Sequence, residues 1–387
     1  MEGVAVTEDL VARSGDLKSE LVTFSQRSRY DQAFHEALHR QGMELARASD
    51  EQLIMFVDYF VLQHRLRDGR TVVEEFVAAR RDLTEQERDL LLGWREVVEG
   101  VFEVQARDGD ALIMVNLIDD LRYRVRSNMG PAVFRQMPRR SFVITRLVPI
   151  GQEWLISGST AVFRAGQRQQ IERIAADLAV RQPGLVLRNP DKLAQAWELQ
   201  RAERSRFIRF FGSDLVVLPG DQFADRMREY EEFSEREILA ALAAQGTPPR
   251  PSVKPPAPVD YTAGLMDSET VAVIYDEVEG LNFYADFGLI EAAFADPALL
   301  RRRIYRERVL DYLDDESVSP LPFHRLADRD HSRASEVFRR LLRRPGFDWQ
   351  RDGEQVMRDR KAWFYQQPPL PSITPISDRL AAVVSRS

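Results

Sequence analysis

The chain has no cysteine. That excludes disulfides, iron–sulfur clusters, thiolate-bound zinc and any cysteine nucleophile, and it makes a reduced cytoplasm the expected setting. Lysine is almost as scarce, with four residues against 50 arginines in a basic total of 54. None of the four follows a glycine, so there is no Walker A loop, and neither a GxGxxG turn nor a GxSxG elbow occurs. P-loop NTPase and α/β-hydrolase chemistry are thereby disfavoured, and no cofactor signature remains. Long apolar runs are missing too. The longest, Leu53 to Leu62, is interrupted by Asp58 and has about half of the ~20 residues a bilayer requires. It predicts a core helix, and no membrane partner is expected. The start, Met1-Glu2-Gly3-Val4, lacks the basic and apolar regions of a secretory signal.

What is present is an ordinary globular composition, 44% hydrophobic and 9% aromatic over 387 residues, enough for several cored domains. With 61 acidic residues the net charge is -7, which argues against coating nucleic acid by bulk charge. The arginine excess has two readings. Guanidinium groups suit planar, bidentate recognition of phosphate or carboxylate, and a GC-rich genome also writes most basic surface positions as arginine.

The periodicity predicts an α+β multidomain chain. A helical N-terminal domain covers 1–99: a long helix or broken pair from Asp16 to Ala48, a second helix from Glu51 to about Leu66, and two more over 71–80 and 84–98. The last opens with a capping-box spacing, Thr84 and Glu87. Over 100–164 the period changes to short β-prone runs separated by turn residues, giving an embedded small β module of SH3-like or OB-like type. A helical segment with a lone strand at Leu215–Leu218 fills 165–245. Residues 246–259 hold six prolines within eleven positions and read as a stiff Pro-rich linker. A C-terminal α/β domain follows over 260–387, opening with a hairpin near Glu279-Gly280.

The run Phe56 to Arg67 with Asp68-Gly69-Arg70-Thr71, the stretch Arg146 to Gly158, and Leu321-Pro322-Phe323-His324-Arg325-Leu326 together resemble a family of uncharacterised bacterial proteins. Some members end in a SEC-C zinc-binding tail. The resemblance covers most of the chain and implies its architecture, but it brings no chemistry. Without cysteine, no zinc site carries over.

Four sets of residues carry candidate chemistry. In Leu121-Arg122-Tyr123-Arg124-Val125-Arg126 the alternation puts Arg122, Arg124 and Arg126 on one strand face and turns Tyr123 inward, with Arg139 and Arg140 in a nearby loop. These five are the expected anion- or partner-binding residues. His35-Glu36-Ala37-Leu38-His39 matches the HExxH of zinc metalloproteases. Position 45 is leucine rather than a third histidine, however, and a polar helix face accounts for the pattern. His324, Asp328 and His331 would share one face of a continuous helix, but Asp330 and Ser332 look like a helix start that breaks it. Asp276, Glu277, Glu279 and Asp286 crowd the hairpin, where paired carboxylates can run glycoside chemistry. If Tyr275 faces Tyr284, Asp276 and Asp286 fall on different faces and the acids form a solvated rim. The expected function is therefore an interaction or adaptor protein that binds an acidic partner through the β module. A nucleic-acid binder using the same arginine face is the alternative, and a metal-dependent hydrolase the second.

Overall fold

The computed structural model describes residues 8–45, 47–244, 262–366 and 368–384. The protein is mixed α+β in two compact units, Met1–Lys192 with Pro375–Ser387, and Leu193–Thr374. The proline-rich stretch 246–259 lies outside the described residues.

The first unit opens with five helices: α1 (Glu8–Ser25), α2 (Asp31–Arg40), α3 (Asp50–Leu62), α4 (Val72–Ala79) and α5 (Glu85–Gly93). Capping boxes start three of them, at Ser49 with Gln52, Thr71 with Glu74, and Thr84 with Glu87. In each, the hydroxyl accepts the third amide of the helix while the third side chain accepts the amide of the cap, so two orphan donors are satisfied at once. The stretch from Asp16 to Ala48 is a broken pair. α3, expected to run to about Leu66, stops at Leu62, after which the chain turns back at Gly69 (φ +82) and bridges Arg65 to Thr71. Leu17, Leu21, Phe56, Phe60, Phe76 and Leu91 are buried together in one core, and full burial of side chains this size contributes ~1.5–3 kcal/mol each.

The β module follows as β1 (Val98–Asp108), β2 (Ala111–Asn116), β3 (Arg122–Arg126), β4 (Phe142–Ile150) and β5 (Glu153–Phe163). Hydrogen bonding runs β1-β2-β3-β5-β4 and closes on β1. All pairings are antiparallel except β3 with β5. A bulge between Val104 and Ala106 in β1 supplies the bend that closure needs. Val98, Phe102, Leu112, Met114, Tyr123, Val125 and Leu147 fill the interior. On the outside, Val148, Ile150 and Leu155 join the helical core. Val101 and Phe142 instead pack with residues of α6 (Arg168–Arg181) and α7 (Pro183–Val186). The module is thus embedded between two helical layers of its own unit.

A long helix, α8 (Pro190–Phe211), carries the chain into the second unit. The strand expected to stand alone there does not. β6 (Leu215–Pro219) pairs antiparallel with β7 (Thr270–Asp276), which pairs in turn with β8 (Gly280–Ala285). An isolated strand would leave a full row of backbone groups unpaired, and β7, with Val271 to Tyr275 all buried, is the central strand that receives it. The hairpin register also differs from expectation: Tyr275 faces Leu281, and Tyr284 faces Ala272. The turn takes in Glu277, Val278 and Glu279, so it starts two residues before the expected Glu279-Gly280 and is one residue longer, which together move the partner of Tyr275 by three positions. Helices α9 (Gly220–Ala244), α10 (Thr262–Met266), α11 (Phe287–Ala295), α12 (Arg303–Asp314), α13 (Leu321–Ala327), α14 (His331–Leu342) and α15 (Trp349–Arg360) complete this unit. Phe287, Phe294, Phe323, Phe338 and Trp349 form much of its core. The last helix, α16 (Asp378–Val384), belongs to the first unit and buries Leu380 with Ile171 and Ala175 of α6. Among the described residues no helix is long and apolar enough to cross a membrane.

Candidate functional site

The β3 face holds its arginines as the alternation requires, but it does not leave them free. Tyr123 points into the interior and donates its hydroxyl to Asp119 at 2.6 Å. Asp119 is fully buried and also accepts from Asn116 and the Leu121 amide, so the β2–β3 turn is pinned from inside. Outside, Arg124 lies 3.1 Å from Asp108 and 3.3 Å from Glu153, and Arg126 pairs with the same Glu153 carboxylate. The hydrogen bond that Arg126 donates to Glu153 is the main reason its guanidinium pKa is raised. Two of the three charges are therefore consumed within the module, and only Arg122 lacks a carboxylate. Arg139 and Arg140 sit elsewhere, in the turn before β4. Arg140 takes a left-handed φ of +68 and gives its amide to the Val104 carbonyl. Arg139 lines a cavity of about 560 Å³ at the end of the module, together with Val104, Arg107, Leu112, Phe134 and Met137. Among the described residues no carboxylate lies within 4 Å of Arg107, Arg139 or Arg140.

The histidine sets are dispersed. His35 and His39 are exposed on α2, and Glu36 between them is held by Arg67 at 2.9 Å and Gln32 at 2.8 Å. His64 is buried and stacked on Phe60, and burial lowers its pKa. Asp330 caps α14 by accepting the Arg333 amide, so the helix that would align His324, Asp328 and His331 is broken. His324 instead meets the ring of Trp349 and approaches Glu354 at 3.8 Å. The hairpin acids are separated along the ladder, Asp276 near the turn on Arg325 and Asp286 at the far end on Arg308. Among the described residues no three histidine or acidic side chains group as a metal site.

The most unusual chemistry in the first unit lies where sequence reasoning did not look for a site. Asp58, the residue that interrupts the apolar run, is 2% exposed on α3. Its Oδ2 accepts Nε of Arg146 at 2.7 Å, and its Oδ1 accepts Nζ of Lys18 and Oγ of Ser157, each at 2.5 Å. Lys18 also donates to Ser157 at 3.1 Å. Arg146 is itself buried and reaches Gln63 at 2.6 Å and Glu99 at 3.2 Å. Burial alone would push the Asp58 carboxyl up, but Lys18 and Arg146 outweigh it and hold it below the ordinary aspartate range. A buried ion must be paired and hydrogen-bonded to be tolerated, and Asp58 meets that condition on both oxygens. The sequence signal was available: an aspartate inside the longest apolar run needs a cation once it is buried. Three of the four lysines are described, and each is held by a carboxylate or by backbone carbonyls. Besides Lys18, Lys192 bonds Asp120 and the Ile118 carbonyl, and Lys361 bonds two backbone carbonyls. Arginine fills the surface, and lysine is kept where a compact ammonium fits.

Cavities flank the cluster on both sides. One of about 580 Å³ is lined by Arg146, Glu99, Tyr59 and the amides of Gln41, Gln52, Gln63 and Gln182. The other, about 410 Å³, is lined by Lys18, Asp58 and Ser157 against Trp94 and walls of valine, leucine and isoleucine. Both volumes are in the range of small-molecule sites.

A closed five-stranded sheet clasped by helices, with a buried lysine–aspartate–arginine cluster between two cavities, defines the first unit. The chain belongs to the family of unknown function DUF7986, which it matches over residues 16–211. That span contains Lys18, Asp58, Arg146 and Ser157. Comparison with curated proteins and with solved structures gave no match.

Proposed function

We propose that this is a cytoplasmic bacterial interaction protein that holds an acidic segment of a partner protein at the Arg107–Arg139 end of its β module. The observation that carries the reading is the cavity of about 560 Å³ walled by Val104, Leu112, Phe134 and Met137 and bordered by Arg107 and Arg139, whose guanidinium groups have no carboxylate partner among the described residues. An apolar pocket edged by uncompensated cations is complementary to a chain that alternates acidic with apolar residues. The location differs from the one the alternation in β3 suggested, since Arg124 and Arg126 already spend their charge on Asp108 and Glu153. The cytoplasmic setting is supported by the absence of cysteine.

An OB-like reading of the module is supported over an SH3-like one by the parallel β3–β5 pairing in a closed five-stranded order. OB-fold proteins that take nucleic acid use the outer face of strands 2 and 3 and the loops after strands 1 and 4. Here that face carries no exposed aromatic, and those loops hold Asp110 and are flanked by Asp108 and Glu153. This disfavours the nucleic-acid alternative. Nothing beyond the spacing of His35 and His39 favours a hydrolase.

Fluorescence anisotropy of a labelled decapeptide alternating glutamate and leucine tests the proposal, with its lysine counterpart and a 12-nucleotide RNA as controls. The acidic peptide is expected to bind, and R107E/R139E to weaken it at least tenfold, while R122A/R124A/R126A changes it less than threefold. Equal binding by the double variant, or preference for the RNA, overturns the reading.

A further inference from the structure

The cavity of about 410 Å³ beside Lys18 lies away from the proposed docking end and is built differently. Its walls are Val22, Leu53, Val57, Val148 and Leu155, and it leaves Ile54 51% exposed at its edge. A helix side chain as apolar as isoleucine is normally turned inward, so this edge is open where a core would be closed. The polar groups of the cavity are concentrated in one place. An ammonium has three donors, and Lys18 uses two, on Asp58 and Ser157. The indole Nε1 of Trp94, which lines the same cavity and is 1% exposed, has no hydrogen-bond partner. The Lys18 ammonium stands 5.5 Å from the centre of that indole ring.

The capacity that remains is therefore donor capacity. Both oxygens of Asp58 are already engaged, and the Ser157 proton is directed at Asp58. The one carboxylate on the Lys18 side, Asp58, is shared between Lys18 and Arg146, while the second carboxylate, Glu99, reaches Arg146 from the other cavity, so the four charges balance and what the Lys18 side offers an incoming group is cationic N–H donation.

From these features we infer that this cavity is a binding site for a small amphiphilic carboxylate, a hydrocarbon or aryl body carrying one acid group. The body lies along the aliphatic walls, and the acid group accepts the third N–H of Lys18. The proposal does not depend on the partner-docking reading, because no residue of this cavity borders the other.

Isothermal titration calorimetry of the full chain tests it, with octanoate as the probe and octan-1-ol and octylammonium as controls. Octanoate is expected to bind with one site per chain, more tightly than octan-1-ol, and octylammonium not to compete. Lys18→Met keeps the aliphatic stem and leaves Asp58 paired with Arg146 and Ser157. It should weaken octanoate at least tenfold and leave octan-1-ol within a factor of two. Val22→Trp fills the cavity from a half-buried wall without replacing a charged residue and should abolish both, with circular dichroism checking that each variant is folded. No octanoate binding to the unaltered chain, binding untouched by Lys18→Met, or equal binding of octylammonium would overturn the assignment. So would octanoate binding that survives Val22→Trp, which would place the ligand elsewhere.

Discussion

Replacing Asp58 by asparagine is the most severe conservative change the first unit offers. The substitution keeps shape and volume, so no cavity opens, and its whole effect is electrostatic. Both carboxylate oxygens accept from donors: Oδ1 from Lys18 and Ser157, Oδ2 from Arg146. Whichever way the amide is turned, its NH₂ confronts a donor. Two cations then stand against a neutral group. The Lys18 side chain is 20% exposed and can swing partly into water, whereas Arg146 at 4% cannot. Removing one partner of a buried pair costs ~3–5 kcal/mol. With Glu99 still on Arg146, the lower end applies, about 3 kcal/mol, which for a unit of this size shifts the melting temperature by about 6–12 °C. The pH dependence gives a second readout. Because the folded-state Asp58 carboxyl is held below its ordinary value of 3.8, its stabilisation is complete above about pH 4 and is lost as pH falls through the folded-state value. Thermal unfolding of the full chain by circular dichroism between pH 3 and 7 should show D58N melting far lower at neutral pH and converging on the unaltered protein in acid. A difference under 1 kcal/mol at pH 7, or parallel pH curves, would refute the reasoning.

Three further outcomes follow from features of the fold. Glu153→Gln removes the carboxylate shared by Arg124 and Arg126. It should raise low-salt binding of a 12-nucleotide RNA several-fold, and unchanged anisotropy would mean that Glu153 does not restrain this face. Thr84→Ala removes the acceptor for the Glu87 amide and should cost about 1 kcal/mol in urea unfolding, with no loss telling against the cap. Gly280→Ala meets a φ of +75 and sets the new methyl carbon against Ser372 Oγ. It should lower the stability of the second unit by about 1–3 kcal/mol, and a neutral effect would contradict the tight hairpin exit.

The local features were legible in the sequence. Thr84 with Glu87 marks a helix start, Pro190 to Phe211 reads as one helix, and the inward aim of Tyr123 follows from alternation. What escaped was set by partners distant in the chain. The register of Tyr275 depended on a three-residue turn that starts at Glu277, two residues before the expected Glu279-Gly280, and β6 found its neighbour more than fifty residues away. The neutralisation of Arg124 and Arg126 comes from Glu153, contributed by another strand. The Asp58 cluster gathers residues from α1, α3, β4 and β5, and no local period can announce such a meeting. The single odd residue in an apolar helix was the only trace.

The docking of α16 on α6 bears on how the polypeptide matures. Leu380 is fully buried in a core whose other fully buried members lie before residue 190, yet residues 193–374 belong to the second unit. During synthesis, when early segments fold first, the first unit must wait with that patch uncovered until the whole second unit has left the ribosome. A chain stalled or cleaved before residue 375 would display Ile171, Ala175 and Ala179 to solvent, a signature by which quality-control factors could tell it from the finished molecule.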